Sequence, residues 1–116
     1  MFRFETLEIW KSSVEVAEDI FDIADELENK KLFRFAEQLR GAALSISNNI
    51  AEGSGSVSNR EFAQFVNIAR RSTFENANMV IIFVRRGLIP KERSDDLLGR
   101  LDSLSRKILT FQRTLK

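Results

Sequence analysis

Four polar side chains are placed so that they could act together. Ser45, Asn49 and Glu52 recur at helical spacing within the stretch 38–53, and Glu75 belongs to a second helical stretch further on. A hydroxyl, an amide and two carboxylates can form a shared site for RNA or a small ligand, with Glu52 as an anchor for a magnesium ion. They can equally bond one another between two helices. The second reading fits better. Buried amides and carboxylates need partners, and such a set can fix the register of two helices.

The chain contains no histidine and no cysteine. Imidazole acid–base chemistry, thiolate chemistry, zinc sites and disulfides are therefore excluded. Serines are plentiful, but only a lysine or a carboxylate could activate one, and no spacing for such a pair appears. The run Gly53-Ser54-Gly55-Ser56 lacks the glycine–lysine end and the preceding strand of a phosphate-binding loop. The expectation is a non-enzyme with no cofactor and no metal.

Basic side chains are the other chemical resource. Net charge is only +1, but residues 1–30 hold three basic and nine acidic residues while 31–116 hold fifteen basic and eight acidic. Either acidic and basic helices pack side by side, which accounts for most of these charges, or a basic face meets a polyanion. The candidates for such a face are Arg40, Arg70, Arg71, Arg85, Arg86, Arg93, Arg100 and Lys107. Most phenylalanines fall on apolar seams, so any RNA contact should be led by phosphates and weakly sequence-specific.

The elements that must position these residues are helices. One proline and five glycines in 116 residues are too little punctuation for a many-stranded fold. Leu7, Trp10, Val14, Ala17, Phe21 and Ala24 keep an alternating three–four spacing that predicts a helix over about 5–27. Leu39, Ala42, Ile46 and Ile50 predict a second over 32–52, stopped by Gly53 as a left-handed terminator. Ser58 and Glu61 form a capping-box pattern that opens a third over 59–86, with Phe62, Phe65, Ala69, Thr73, Asn76, Val80 and Phe83 as its seam. Gly87 and Pro90 separate it from a fourth over 90–114, with Leu97, Leu101, Leu104, Ile108, Phe111 and Leu115 inward.

The connections are short, so the expected fold is all-α: a single-domain, up-down-up-down antiparallel four-helix bundle. Arg93, Arg100 and Lys107 then form a strip on helix 4 beside helix 1. No run reaches the length of a membrane span. The opening MFRFETLEIW lacks the basic-then-apolar order of a secretory signal, which makes the cytoplasm the expected location.

The apolar residues exceed what one such core takes. Met79–Val84 is apolar all round, and Ile9, Ile20 and Ile23 are surplus to the helix 1 seam. They widen the apolar face or touch another chain. Ile9, Ile20, Ile23, Met79, Ile81 and Ile82 are accordingly the candidates for an interface between copies.

The run Ser45-Ile46-Ser47-Asn48-Asn49-Ile50-Ala51-Glu52-Gly53 resembles the S-I-x-x-N-I-A-E-G signature of the four-helix bundle proteins encoded within intervening sequences of 23S ribosomal RNA genes of bacteria. Phe4, Leu7, Ile9 and Trp10 are similar to that family's opening, and Gln38-Leu39-Arg40 to its Q-I-R. Glu61-Phe62, Phe65, Ile68-Ala69, Ser72 and Glu75 match a further motif. Arg71 stands in place of a family glycine. Glu28 and Lys31 stand where a proline and a glutamate are usual. Gly41 replaces a second arginine and so removes a positive charge. The resemblance implies a bundle assembling as a ring-like homo-oligomer, a homopentamer, and a fold shared with the accessory protein of diversity-generating retroelements, which binds nucleic acid and a partner protein. The function it implies is a nucleic-acid-associated binding or scaffold protein, with ribosomal RNA or another RNA as partner. The alternative is an oligomeric protein-interaction module without nucleic acid.

Overall fold

Each helix starts and stops where the local chemistry dictates. The computed structural model describes all residues, Met1–Lys116. It contains α1 (Glu8–Asn29), α2 (Phe33–Ser54), α3 (Asn59–Arg85) and α4 (Lys91–Arg113), and no strand. α1 begins three residues later than the pattern suggests because Arg3–Thr6 forms a tighter 3-10 turn. That turn is held by the Phe2 amide donating to the Glu5 carboxylate at 2.7 Å.

α1 is closed off just beyond its C-cap Lys30 by Lys31, which takes a left-handed φ of 65°. The Leu32 amide then reaches the Leu27 carbonyl at 2.9 Å and the Lys31 amide reaches Glu28 at 2.8 Å. These are the paired bonds that close many helices, normally around a glycine. Gly87 does the same for α3 with a φ of 73°. Ser58 caps α3, its hydroxyl accepting the Glu61 amide at 3.1 Å.

Gly53 has a different role from the expected one. α2 runs through it to Ser54, and the cap at Gly55 is right-handed. A Cβ at position 53 would stand 2.7 Å from Phe65 Cβ and 2.8 Å from Phe62 Cδ1. The glycine is there to let α3 approach, and chain reversal falls to the next residues.

Successive helices run antiparallel. The start of α2 lies beside the end of α1, Ala42 of α2 meets Asn76 of α3, and Ala63 of α3 meets Gln112 of α4. α4 returns beside α1, with Arg100 at Asp19 and Arg93 at Glu26. All four helices contribute to one apolar core. The seams read for α2 and α4 are buried throughout except Phe111, which is half-buried. On α3 only Phe65 of the expected seam is half-buried.

α1 turns a different face inward from the one expected. Ile9, Ser13, Val16, Ile20, Ile23 and Leu27 are buried with Ala17 and Ala24, while Leu7, Trp10, Val14 and Phe21 are half-buried at the edge. Ile9, Ile20 and Ile23 are 4%, 0% and 2% exposed. They are core residues, and their assignment to an interface between copies is corrected. Ser13 hid this seam in the sequence. Its hydroxyl donates to the Trp10 carbonyl at 2.7 Å, so it packs as a small, satisfied side chain.

Two glycines make the packing testable. Gly53→Ala should cost about 1–3 kcal/mol, because a packed helix pair must separate. Gly99→Ala, in α4, meets nothing within 4 Å and should stabilise by about 0.5–1 kcal/mol. Chemical denaturation of both variants checks the pair, and equal shifts would refute the close approach at position 53.

Candidate nucleic-acid interface

The closeness of α2 and α3 makes room for a polar chain rather than for apolar side chains alone. Asn49 Nδ2 donates to the Ser45 carbonyl at 2.7 Å and to the Ser45 hydroxyl at 3.1 Å. The Ser45 and Ser72 hydroxyls are 2.9 Å apart, and Ser72 donates to the Ile68 carbonyl at 3.0 Å. With Ser72 committed to that carbonyl, Ser45 must donate to Ser72. Protons then run one way, from Asn49 through Ser45 and Ser72 to α3. One turn away the fully buried Asn76 donates to the carbonyls of Ala42, at 2.8 Å, and Ser72, at 2.7 Å. Its Oδ1 is buried without a partner.

Glu52 and Glu75 do not join this set. Both are exposed. Glu75 lines a shallow groove with Ile68, Arg71 and Ser72, and no three acidic side chains converge anywhere in the chain. The four residues singled out by spacing therefore separate into a hydrogen-bonded pair and two surface carboxylates. Sequence reasoning placed Asn76 on the α3 seam without a role. The signal was a carboxamide in a repeat that is apolar apart from it and Thr73.

The eight basic candidates also divide. Arg40 donates to Asp25 at 2.6 Å and Glu28 at 3.0 Å. Arg93 bonds Glu26 and Arg100 bonds Asp19, with Asp96 3.7 Å from Arg100. The hydrogen bond to Asp25 chiefly, and that to Glu28, hold the Arg40 guanidinium above its ordinary pKa. The bond to Asp19 does the same for Arg100. A raised cation favours the folded state at every pH below its ordinary value, so neutral and mildly alkaline conditions leave both charged. These three arginines offset part of the charge of the acidic helix α1, and their assignment to a free basic face is corrected.

Arg70, Arg71, Arg85, Arg86 and Lys107 have no carboxylate within ion-pair distance. Lys107 lines a groove between α1 and α4 with Ser12, Glu15, Arg100 and Ser103. The other four lie on α3 or at its C-terminal cap. Arg71, Arg85 and Arg86 are exposed, and Arg70 is half-buried. α3 also carries Ile68, Phe74, Ile81 and Ile82 on its surface, the last two at 46% and 45% exposure. Met79, the remaining interface candidate, is half-buried. α3 thus combines these four arginines, free of carboxylate partners, with a row of exposed apolar side chains, while α2 carries one such arginine, Arg34, beside exposed Phe33, Phe35 and Leu44.

Fold and surface together define a helical bundle with a polar lock between its second and third helices. The chain belongs to the 23S rRNA-intervening sequence protein family, whose model matches residues 5–110. Its fold is similar to the crystal structure, at 1.70 Å resolution, of a protein with unknown function from the S23 ribosomal protein family of Bacteroides thetaiotaomicron. The TM-score is 0.84 at 21% identity, over 90% of this chain and 97% of that one. No curated protein matches the chain. No helix is long and apolar enough to cross a membrane.

The polar lock predicts a contrast between two neighbours on α3. Asn76→Ala removes two buried hydrogen bonds and leaves a void, and should cost about 1–3 kcal/mol. Glu75→Ala touches an exposed carboxylate and should stay within about 0.5 kcal/mol of wild type. Thermal or urea unfolding separates them, and a large loss at Glu75 would give that residue the structural role denied to it here.

Proposed function

We propose that this chain is a non-enzymatic, self-assembling bundle of up-down-up-down topology that associates with RNA through the arginines of α3. The observation that carries this reading is the division of the basic residues. Arg40, Arg93 and Arg100 are held by carboxylates of α1. Arg70, Arg71, Arg85 and Arg86 lack such partners and stay available to phosphates. The family takes its name from the intervening sequence of 23S rRNA, which supports ribosomal RNA, in the cytoplasm, as the polyanion. Net charge is too small for strong long-range attraction, so affinity has to come from clustering. A ring-like homo-oligomer, a pentamer by the resemblance, multiplies a modest patch by avidity. Ile68, Ile81 and Ile82 are the apolar residues such an assembly would cover.

A specific observation also favours a second reading, a protein-interaction module without nucleic acid: the same helix exposes four large apolar side chains. Salt separates the two readings. Phosphate binding weakens steeply as salt rises, and a packed protein interface does not.

Fluorescence polarisation with a labelled 23S rRNA fragment across a salt series tests the proposal. Arg85→Glu with Arg86→Glu should weaken binding and flatten the log–log salt slope by roughly 1–2, as loss of two phosphate contacts does. Arg100→Glu with Lys107→Glu should leave the slope nearly unchanged. The reverse outcome would move the interface to α4. Failure of the intact protein to bind RNA at low salt would leave the interaction module. Light scattering should read a mass of about five chains, as for a closed ring, and a monomer at micromolar concentration would contradict self-assembly.

A further inference from the structure

We propose that Phe74, with Arg70 against its ring, is a stacking platform for a base of single-stranded RNA. This deepens the RNA reading and rests on it. Phe74 is 55% exposed in the middle of α3, and the Arg70 guanidinium carbon lies 5.1 Å from its ring centroid. The only other guanidinium over a ring is Arg3 on Phe62, whose ring is buried. Phe74 is thus the one exposed phenylalanine paired with a cation.

Arg70 differs from the arginines tied to α1. No carboxylate fixes it, and its Nε is buried with no hydrogen-bond partner. The ring orients the guanidinium, and the guanidinium covers part of the ring. The remaining π surface stays open to a flat ligand. Helical periodicity surrounds Phe74 with Asn67, Arg71, Asn78 and Ile81, and sets Arg85 about 16 Å further along the axis. Arg71 supplies a cation, Asn67 and Asn78 supply amides, and Ile81 is apolar; the exposed Glu75 carboxylate stands on the flank it shares with Arg71, Ile68 and Ser72. The acidic residues of α4 that could face this side are already engaged, Asp102 with Arg106 at 2.9 Å and Asp95 with Lys91 at 3.8 Å.

That set matches the chemistry of an unpaired nucleotide. Its base presents a π face for the ring, its edge offers donors and acceptors to amides, and its phosphates take the arginines. A duplex hides base faces in its own stack, so the platform selects loops and ends over paired RNA. A second copy of the chain is the rival occupant of this face, since phenylalanine and arginine also suit protein interfaces, and the oligomer mass of the variant separates the two.

The test uses full-length protein and one labelled RNA, presented either as an unstructured single strand or annealed into a duplex. Phe74→Leu keeps an apolar side chain on the helix and removes the π face. Wild type should prefer the single strand. Phe74→Leu should lose about tenfold or more in single-strand affinity, with duplex affinity and light-scattering mass unchanged. Phe74→Trp should retain binding, with its added emission quenched by the single strand. Equal losses on both RNAs, or none, overturn the platform even where Arg85→Glu with Arg86→Glu still abolishes binding, and then the RNA reading stands without it. A fall in oligomer mass in Phe74→Leu would identify the ring as a contact between copies and also overturn it. Absence of binding to either RNA by wild type would remove the RNA reading itself.

Discussion

The close approach of α2 and α3 is the constraint on which the rest of the molecule depends. At one end it requires the absence of a side chain, since a Cβ on Gly53 would lie 2.7 Å from Phe65 Cβ. Further along, the small residues Ala42 and Ser45 meet Asn76 and Ser72 of α3 directly. The Asn76 amide then bridges to the Ala42 backbone at 2.8 Å. Apolar packing tolerates sliding, but a buried carboxamide with one acceptor position does not. The amide therefore sets the rotation and register of α3. Once those are set, Val66, Ala69, Val80 and Phe83 must face inward, and Arg71, Phe74, Arg85 and Arg86 must face out. The surface chemistry of α3 follows from a hydrogen bond made on its opposite side.

The electrostatics divide along the same axis. α1 carries eight acidic residues and one lysine. Four of its carboxylates take Arg40, Arg93 and Arg100. The contacts are partly exposed, so each contributes little to stability. Their larger effect is on the surface, because they cancel the cations nearest α1 and leave the excess positive charge on α3. A protein of nearly zero net charge thereby keeps a local basic helix.

Much of this was legible in the sequence, and the exceptions have physical causes. The α4 seam repeats leucine and isoleucine without interruption, and those residues are buried as read, with Phe111 at the edge. The α1 seam was misread because two three–four repeats, offset from each other, run through the same helix. One is Leu7, Trp10, Val14, Ala17, Phe21 and Ala24. The other is Ile9, Ser13, Val16, Ile20, Ile23 and Leu27, and it is the deeper one. A serine within it lowers the apparent hydropathy, although its hydroxyl is satisfied by its own helix. Gly53 looked like a terminator because sequence shows that a glycine is tolerated and not what approaches it. Lys31 gave no sign of its left-handed backbone. For the candidate site, arginine positions were plain, but their partners were not. Which arginine meets a carboxylate depends on the helix across the seam, and that is a tertiary fact.

The most direct measurement is NMR of the arginine side-chain Nε–Hε groups during titration with a 23S rRNA fragment at low salt. Phosphate contact shifts these signals, and carboxylate-locked guanidinium groups change little. Shifts are expected at Arg70, Arg71, Arg85 and Arg86, with the signals of Arg40, Arg93 and Arg100 in place. Shifts confined to Arg93 and Arg100, or no shift at any arginine, would contradict the assignment of RNA association to α3.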